Sequence, residues 1–360
     1  MILENIGDNT LANISLKYLK EIDLKDNFFN SLREDYKEFD NWFLRKATED
    51  KRAFTFYENH NLIAFLSLKI EEEIDDNIKP NMKLKKRLKV STFKIIPHRT
   101  KLGERFVKRI FDIAIKCQID EIYVTIFSKH EGLLNLLKIF GFYEYGTKDT
   151  KNGVELVLIK DFLNIKNNII LDYPIVNTKN KGIYCLSIYP KFHTRLFSDS
   201  ILKNESVDIV KDFSHTNSIH KIYLSGINDV ANLRREDILL IYRTNDGKGV
   251  ARFRSVITSV CVIEEILNIS NFKDIDSFLN YCEPHSIFTK EELISFYTKK
   301  RYPFVIKMTY NIALTKRVTN GTLIDLLGIN PSYWGFFKLT EKEFKKILDE
   351  GKVNESLIVN

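Results

Sequence analysis

The chain has 360 residues, of which 44% are apolar and 12% aromatic while only 14 are Gly and 7 Pro; this composition excludes disordered, collagen-like and low-complexity proteins, and the length allows two packed cores. Its 55 basic and 48 acidic side chains leave a net charge of +7, divided as 28 minus 26 over residues 1–165 and 27 minus 22 over residues 166–360, a lean that permits a polyanionic partner without demanding one. No apolar run approaches the roughly 20 residues of a membrane span and MILENIGDNT lacks the basic start and apolar run of a secretory signal, so a cytoplasmic protein with no membrane partner is expected.

The first predicted element is a strand beginning in ANISLKYL (12–19), followed by a helix over FDNWFLRKAT (39–48), where Phe39, Trp42, Phe43 and Ala47 recur at helical spacing. AFTFYENHNLIAFLSLKI (53–70) reads as two strands around the turn Glu58-Asn59-His60-Asn61. The charged runs EEEIDD (71–76) and KLKKRLK (83–89) read as solvated loops or strand edges. A strand over 90–97 ends at Pro97, and HRTKLGE (98–104) turns into a helix over 103–116 with one apolar and one Lys/Arg face. A strand at 121–127, a short helix at 130–140 stopped by Gly141 and a strand at 154–162 complete this half.

Residues 163–180 have no sustained period and carry Asn, Pro and Lys, so the linker is placed at 166–180 between domains at 1–165 and 181–360. The second half is rich in strands, at 238–244, 250–266 and 302–314, with an Asn-Asp-Gly hairpin signal between the first two and short helices at 191–202, 229–235, 274–282, 289–299, 322–328 and 340–349. The expected class is α+β: a mixed sheet flanked by helices, then a small β-barrel with helices. Cys117, Cys185, Cys261 and Cys282 share no C-x-x-C spacing, and the seven histidines form no H-x-x-x-H pair; buried thiols and no metal are expected.

Strand, turn and helix N-terminus at 90–104 make a junction whose unpaired amides and helix dipole suit an anion. Gly103 allows close backbone approach, and Arg99, Lys101 and Arg105 bring positive charge. STFKIIPHRTKLGERFVKRIFDIA (91–114) followed by EIYVTIFSKHEGLLNLLKIFGFYEYG (121–146) resembles the central region of the GNAT superfamily of acetyl-CoA-dependent N-acetyltransferases, with Phe140-Gly141-Phe142 the most characteristic short match. The resemblance covers 90–146 directly and implies acetyl-CoA bound by Phe93, Ile95 and Ile96 on the strand and by Arg99, Lys101, Leu102, Gly103 and Glu104 in the turn. The turn departs from the family's Gln/Arg-x-x-Gly-x-Gly/Ala, with Lys101 at the first glycine's place, and is similar to a variant in GNAT-related toxin–antitoxin proteins. The family's Tyr acid is replaced by Leu137, leaving His130, Tyr143 and Tyr123 as candidate catalytic groups.

In the second half CLSIYPKFHTRLFSDS (185–200), HKIYLS (220–225) and DILLIYRTNDGKGVARFRSVITSV (237–260) resemble the ASCH/PUA-like superfamily, whose members commonly recognise RNA or modified nucleobases. Independently, Lys191, Arg195, Lys221, Arg243, Arg252 and Arg254 alternate with Tyr189, Phe192, Tyr223, Tyr242 and Phe253, a mixture suited to phosphate contact and base stacking, with Arg252 and Arg254 on one face of a strand. The reading is a toxin-like N-acetyltransferase acting on a nucleic acid, RNA ahead of DNA, or on an amine attached to it such as an aminoacyl-tRNA, with an antitoxin-like protein as possible partner. The alternative is a non-catalytic RNA- or DNA-binding regulator with a degenerate GNAT fold.

Overall fold

The computed structural model describes residues 14–96, 101–197, 200 and 218–360. It divides into two compact units, residues 1–166 and 167–360.

The first unit is an eight-stranded mixed sheet in the order β1-β2-β3-β5-β6-β8-β7-β4. Its elements in chain order are β1 (Ile14–Tyr18), α1 (Asn30–Asp35), α2 (Phe39–Thr48), β2 (Arg52–Glu58), β3 (Asn61–Glu71), β4 (Ile78–Lys79), β5 (Arg87–Ile95), α3 (Leu102–Lys116), β6 (Glu121–Ile126), α4 (Glu131–Ile139), β7 (Tyr143–Thr150) and β8 (Gly153–Asp161). Asn59 and His60 both adopt left-handed backbone (φ 47° and 67°), the pair of angles that matches a two-residue turn to the twist of its strands, and β2 and β3 pair antiparallel around it. Gly141 (φ 83°) provides the left-handed stop after α4.

One face of this sheet packs on α1 and α2, where Phe65 meets Phe29 and Phe43 at ring separations of 5.5 and 6.3 Å. The other packs on α3, where Phe93 meets Phe106 at 5.9 Å and Phe111 meets Phe162 at 5.6 Å. The expected division of α3 into a buried apolar face and a Lys/Arg face is corrected: Arg105 and Lys108 are buried too, and the Arg105 and Arg109 guanidiniums lie 5.3 and 5.5 Å from the rings of Phe56 and Phe54. A helix lying across a sheet this wide covers aromatics beyond its apolar stripe, and arginine stems with planar heads suit that border. The two charged runs are likewise more than solvated edges. Glu71 pairs with Lys89 and Lys69, Asp75 with Lys148, and Arg87 with the nearly buried Glu121.

The second unit contains β9 (Val176–Asn177), β10 (Ile183–Ile188), α5 (Pro190–Leu196), β11 (His220–Ser225), β12 (Ile238–Arg243), α6 (Ala251–Arg254), β13 (Val256–Asn268), α7 (Ile275–Cys282), α8 (Lys290–Lys299), β14 (Phe304–Thr319), α9 (Asn320–Asp325), β15 (Phe336–Leu339), α10 (Glu341–Glu350) and β16 (Ile358–Val359). Six strands form one sheet, β11-β14-β13-β12-β10-β15, in which only β10 and β12 are parallel. Bulges interrupt the long β13–β14 pair at three places, and among the described residues no pairing joins the edge strands β11 and β15. Capping boxes started by Asp274, Thr289 and Thr340 open α7, α8 and α10.

Residues 169–177, within the stretch read as linker, are instead part of this unit. Tyr173 is buried and donates its hydroxyl to the Tyr310 carbonyl at 2.8 Å, and β9 pairs with β16. The four cysteines are buried free thiols. Among the described residues no helix is long and apolar enough to cross a membrane, and no group of three His, Cys, Asp or Glu side chains could hold a metal ion.

Candidate functional site

The parallel pair at the centre of the first sheet is short. β5 and β6 pair only through Leu88–Ile122, Lys89–Tyr123 and Val90–Val124, yet β5 runs on to Ile95 and β6 to Ile126. The strands therefore diverge into a wedge that opens toward their C-terminal ends. Along the opposite side of β5, Thr92 to Ile95 pair with β3, so the groups that point into the wedge have no strand partner among the described residues. Such a row of backbone donors and acceptors is a template for an extended ligand carrying amides of its own.

At the open end lies the first turn of α3, whose leading N–H groups have no intrahelical acceptor; helical bonding begins with Arg105 N to Lys101 O at 3.1 Å. A Cβ on Gly103 would lie 2.8 Å from Leu136 Cδ2 and 3.8 Å from Ile95 Cδ1, so the α3 start, the β5 end and α4 converge here. Among the predicted cofactor residues, Ile95, Ile96, Lys101, Leu102 and Gly103 all fall at this convergence, and Phe93 sits just before it on β5. Phe93, Leu102 and Glu104 are buried, so these positions offer a ligand backbone rather than side chain. Arg99 lies outside the described residues.

The face of the wedge toward α1 carries the polar chemistry. His130, just before α4, places Nε2 2.6 Å from Oδ2 of Asp35, the last residue of α1, and Lys129 pairs with the other carboxylate oxygen. Asp35 is buried, whereas the His130 ring is about a third exposed and its Nδ1 makes no hydrogen bond among the described residues. An Asp that fixes one imidazole nitrogen and leaves the other open is an arrangement suited to proton transfer. Tyr36 donates to the buried Glu155 and is raised well above the usual phenol range, first by burial and then by that carboxylate. Lys94, on the stretch of β5 beyond its pairing with β6, donates from Nζ to Ser31 Oγ at 2.6 Å and to the Phe28 carbonyl. Asp35, Tyr36, Lys94 and Glu155 were not singled out from the sequence. Residues 27–35 carry no clear periodicity, and nothing in REDY (33–36) marks it as part of a site.

The two tyrosine candidates are not brought to His130. Tyr123 lies in the paired part of β6, is buried, and donates its hydroxyl to Glu71, with burial and then that bond raising it far above the usual range. Tyr143 shares a cross-strand row with Ile159 and Tyr123, which puts it two strands from β6, about 10 Å away. Leu137, at the position where the resemblance would place a tyrosine, is fully enclosed core.

The second unit dismantles most of the predicted basic patch. Lys221 and Arg243 have 0% and 1% exposure; Lys221 Nζ lies 5.7 Å from the Tyr310 ring, and Arg243 donates to the Arg254 carbonyl at 3.3 Å. Alternation along β11 and β12 did not mean exposure, because both strands are buried on both faces. Arg252 and Arg254 belong to α6 rather than a strand and are engaged by Asp325 and Asp246. Arg195 donates to the Ile287 carbonyl; Lys191 is exposed beside Phe192, 4.5 Å from its ring. Tyr223 and Tyr242 are core.

What does reach solvent gathers at one end of this sheet. Tyr189 follows β10, Val250 and Phe253 lie in the connection from β12 to β13, and Tyr333 precedes β15. These residues are 55–70% exposed. The register of Ile188 with Arg243, and the bond from Ser187 N to Gly335 O, put all these connections on the same side. Beneath them His193 is fully buried, with Nε2 2.8 Å from Thr258 Oγ1 and Nδ1 lacking a hydrogen-bond partner.

No family model matches the chain and no curated protein matches it. Among solved structures it is similar to the S128A mutant of an ASCH protein from Zymomonas mobilis, with 9% identity and a TM-score of 0.31 over 46% of this chain and 94% of that one. It is also similar to Arabidopsis thaliana Naa50 in complex with a bisubstrate CoA analogue, with 16% identity and a TM-score of 0.28 over 41% and 99%. A third is the Campylobacter jejuni N-acetyltransferase PseH in complex with acetyl coenzyme A, with 14% identity and a TM-score of 0.27 over 41% and 98%.

Proposed function

We propose that the first unit is an acetyl-CoA-dependent N-acetyltransferase whose thioester donor lies in the wedge between β5 and β6. The observation that carries this reading is the early end of the β5–β6 pairing, which leaves Ser91–Ile95 with backbone groups free for an extended amide-bearing ligand while the α3 start stands at the open end. The resemblance of residues 90–146 to the GNAT pattern supports the same placement. Bound there, acetyl-CoA would supply an activated acyl group. The chain's own part is to align the strand edge, to meet the phosphates with the Leu102 and Gly103 amides and Lys101, and to take the acceptor's proton at His130, which Asp35 orients.

The acceptor in this reading is an amine on a nucleic acid, RNA ahead of DNA, or one linked to it. The second unit would hold that nucleic acid through the exposed rings of Tyr189, Phe253 and Tyr333, with Lys191 two residues after Tyr189 and Lys248 five before Phe253. Enclosure of Leu137 favours a second reading, a nucleic-acid-binding regulator that no longer turns over. Calorimetric titration with acetyl-CoA and with CoA tests the wedge, and a thiol-release assay with amine acceptors separates the two readings. Failure to bind at millimolar ligand removes the first. Binding without thiol release for any acceptor leaves the second.

A further inference from the structure

Lys94 is the only amine-bearing side chain on Ser91–Ile95, the stretch of β5 beyond its pairing with β6, and it does not behave as a surface lysine. Its ammonium head is held on the face of the sheet that α1 covers: Nζ donates to the Phe28 carbonyl and to Ser31 Oγ at 2.6 Å and lies 4.7 Å from the centre of the Phe28 ring. The amine is thereby anchored on the same strand that would carry the thioester. Carboxylates face it from two elements, Asp26 before α1 and Glu34 and Asp35 within it, and Asp35 is also the partner of His130 and Lys129. Carboxylates of this kind would welcome a cationic acceptor, and Lys94 already supplies one from within the chain.

We propose that Lys94 is an internal acyl acceptor, acetylated by its own chain from acetyl-CoA; this rests on the wedge being the thioester site. The neutral Nζ attacks the thioester carbonyl, a C–N bond forms, the C–S bond breaks with its electron pair on the CoA sulfur, and the proton shed by nitrogen passes by way of His130 or water to that thiolate. No further reactant is needed. Half-burial also holds Lys94 below the ordinary lysine pKa, its desolvation outweighing the three carboxylates, so more of it is neutral at pH 8 than of an exposed lysine. Acetylation abolishes the charge and releases the Phe28 and Ser31 contacts, opening the carboxylate-lined side to an external amine.

The test is incubation of the full chain with acetyl-CoA and no acceptor, followed by peptide mass spectrometry, with titration of CoA alongside. Acetyl is expected on Lys94 at least tenfold faster than on exposed lysines such as Lys191 and Lys248, and no label is expected at position 94 in Lys94→Arg. Because the measurement resolves positions in the unaltered protein, it does not depend on that variant folding. CoA binding without label on Lys94, or label spread evenly over exposed lysines, overturns the internal acceptor and leaves the wedge standing. Absence of CoA binding overturns both.

Discussion

His193 makes the second unit sensitive to mild acid. The ring is fully buried, its Nδ1 has no partner, and the charges of Arg243 and Arg317 add to desolvation, so it is held down at about 3 from an ordinary 6.5. Below pH 6.5 the unfolded chain takes up a proton there that the folded chain refuses, so stability falls as pH falls through that window. At about 1.4 kcal/mol per pH unit, lowering pH from 7 to 5 costs about 2 kcal/mol, or a drop of about 4–8 °C in the unit's Tm. The assay is thermal unfolding at pH 7, 6 and 5 of wild type and of His193→Leu, a replacement of similar volume; Thr258 Oγ1 still has Ser259 Oγ at 3.1 Å to bond with. The gap between the two proteins should shift by that amount in favour of the variant. A gap constant from pH 7 to 5 would show that His193 is protonated or hydrated in the folded state and refute the argument.

The catalytic assignments separate by variant. His130→Ala should lower kcat for thiol release by a hundredfold or more while the Kd for acetyl-CoA stays within twofold; Asp35→Asn should give part of the same loss. Tyr123→Phe removes one of the partners of Glu71, costs about 1 kcal/mol of stability and leaves turnover intact; a loss comparable to that of His130→Ala would restore Tyr123 as the acid. Gly103→Ala should bind acetyl-CoA normally, because the crowding atom is the end of the flexible Leu136 side chain, whereas Gly103→Trp should abolish binding by calorimetry. Equal affinity for the Trp variant would move the ligand away from the start of α3.

Periodicity and turn chemistry located most elements. The helix at 39–48 and the hairpin around Asn59-His60 have boundaries close to those read from side chains alone, because their signals are local. The wedge is different. Residues 91–95 look like an ordinary strand, and only the register with β6, a long-range property, reveals that pairing stops at Val90. His130 was legible as a titratable residue at a helix start; Asp35, ninety-five positions away, was not. The reading of basic residues failed for a physical reason. Lys221 and Arg243 sit in strands covered on both faces, and Arg252 and Arg254 found carboxylates in the same or a neighbouring connection, none of which composition can disclose.

The three-residue pairing of β5 with β6 also bears on mechanics. It divides the first sheet into a half of β1, β2, β3 and β5 and a half of β6, β8, β7 and β4 that share a seam of three residue pairs. Across that seam the halves are tied further by α3, which leads from one to the other, and by side-chain pairs such as Tyr123 with Glu71, Arg87 with Glu121, His130 and Lys129 with Asp35, and Tyr36 with Glu155. Amides of β5 facing the wedge should therefore exchange with solvent far sooner than those bonded to β3. A molecule laid along the seam would act as a rivet, making the unit stiffer across its middle than its own hydrogen bonds can.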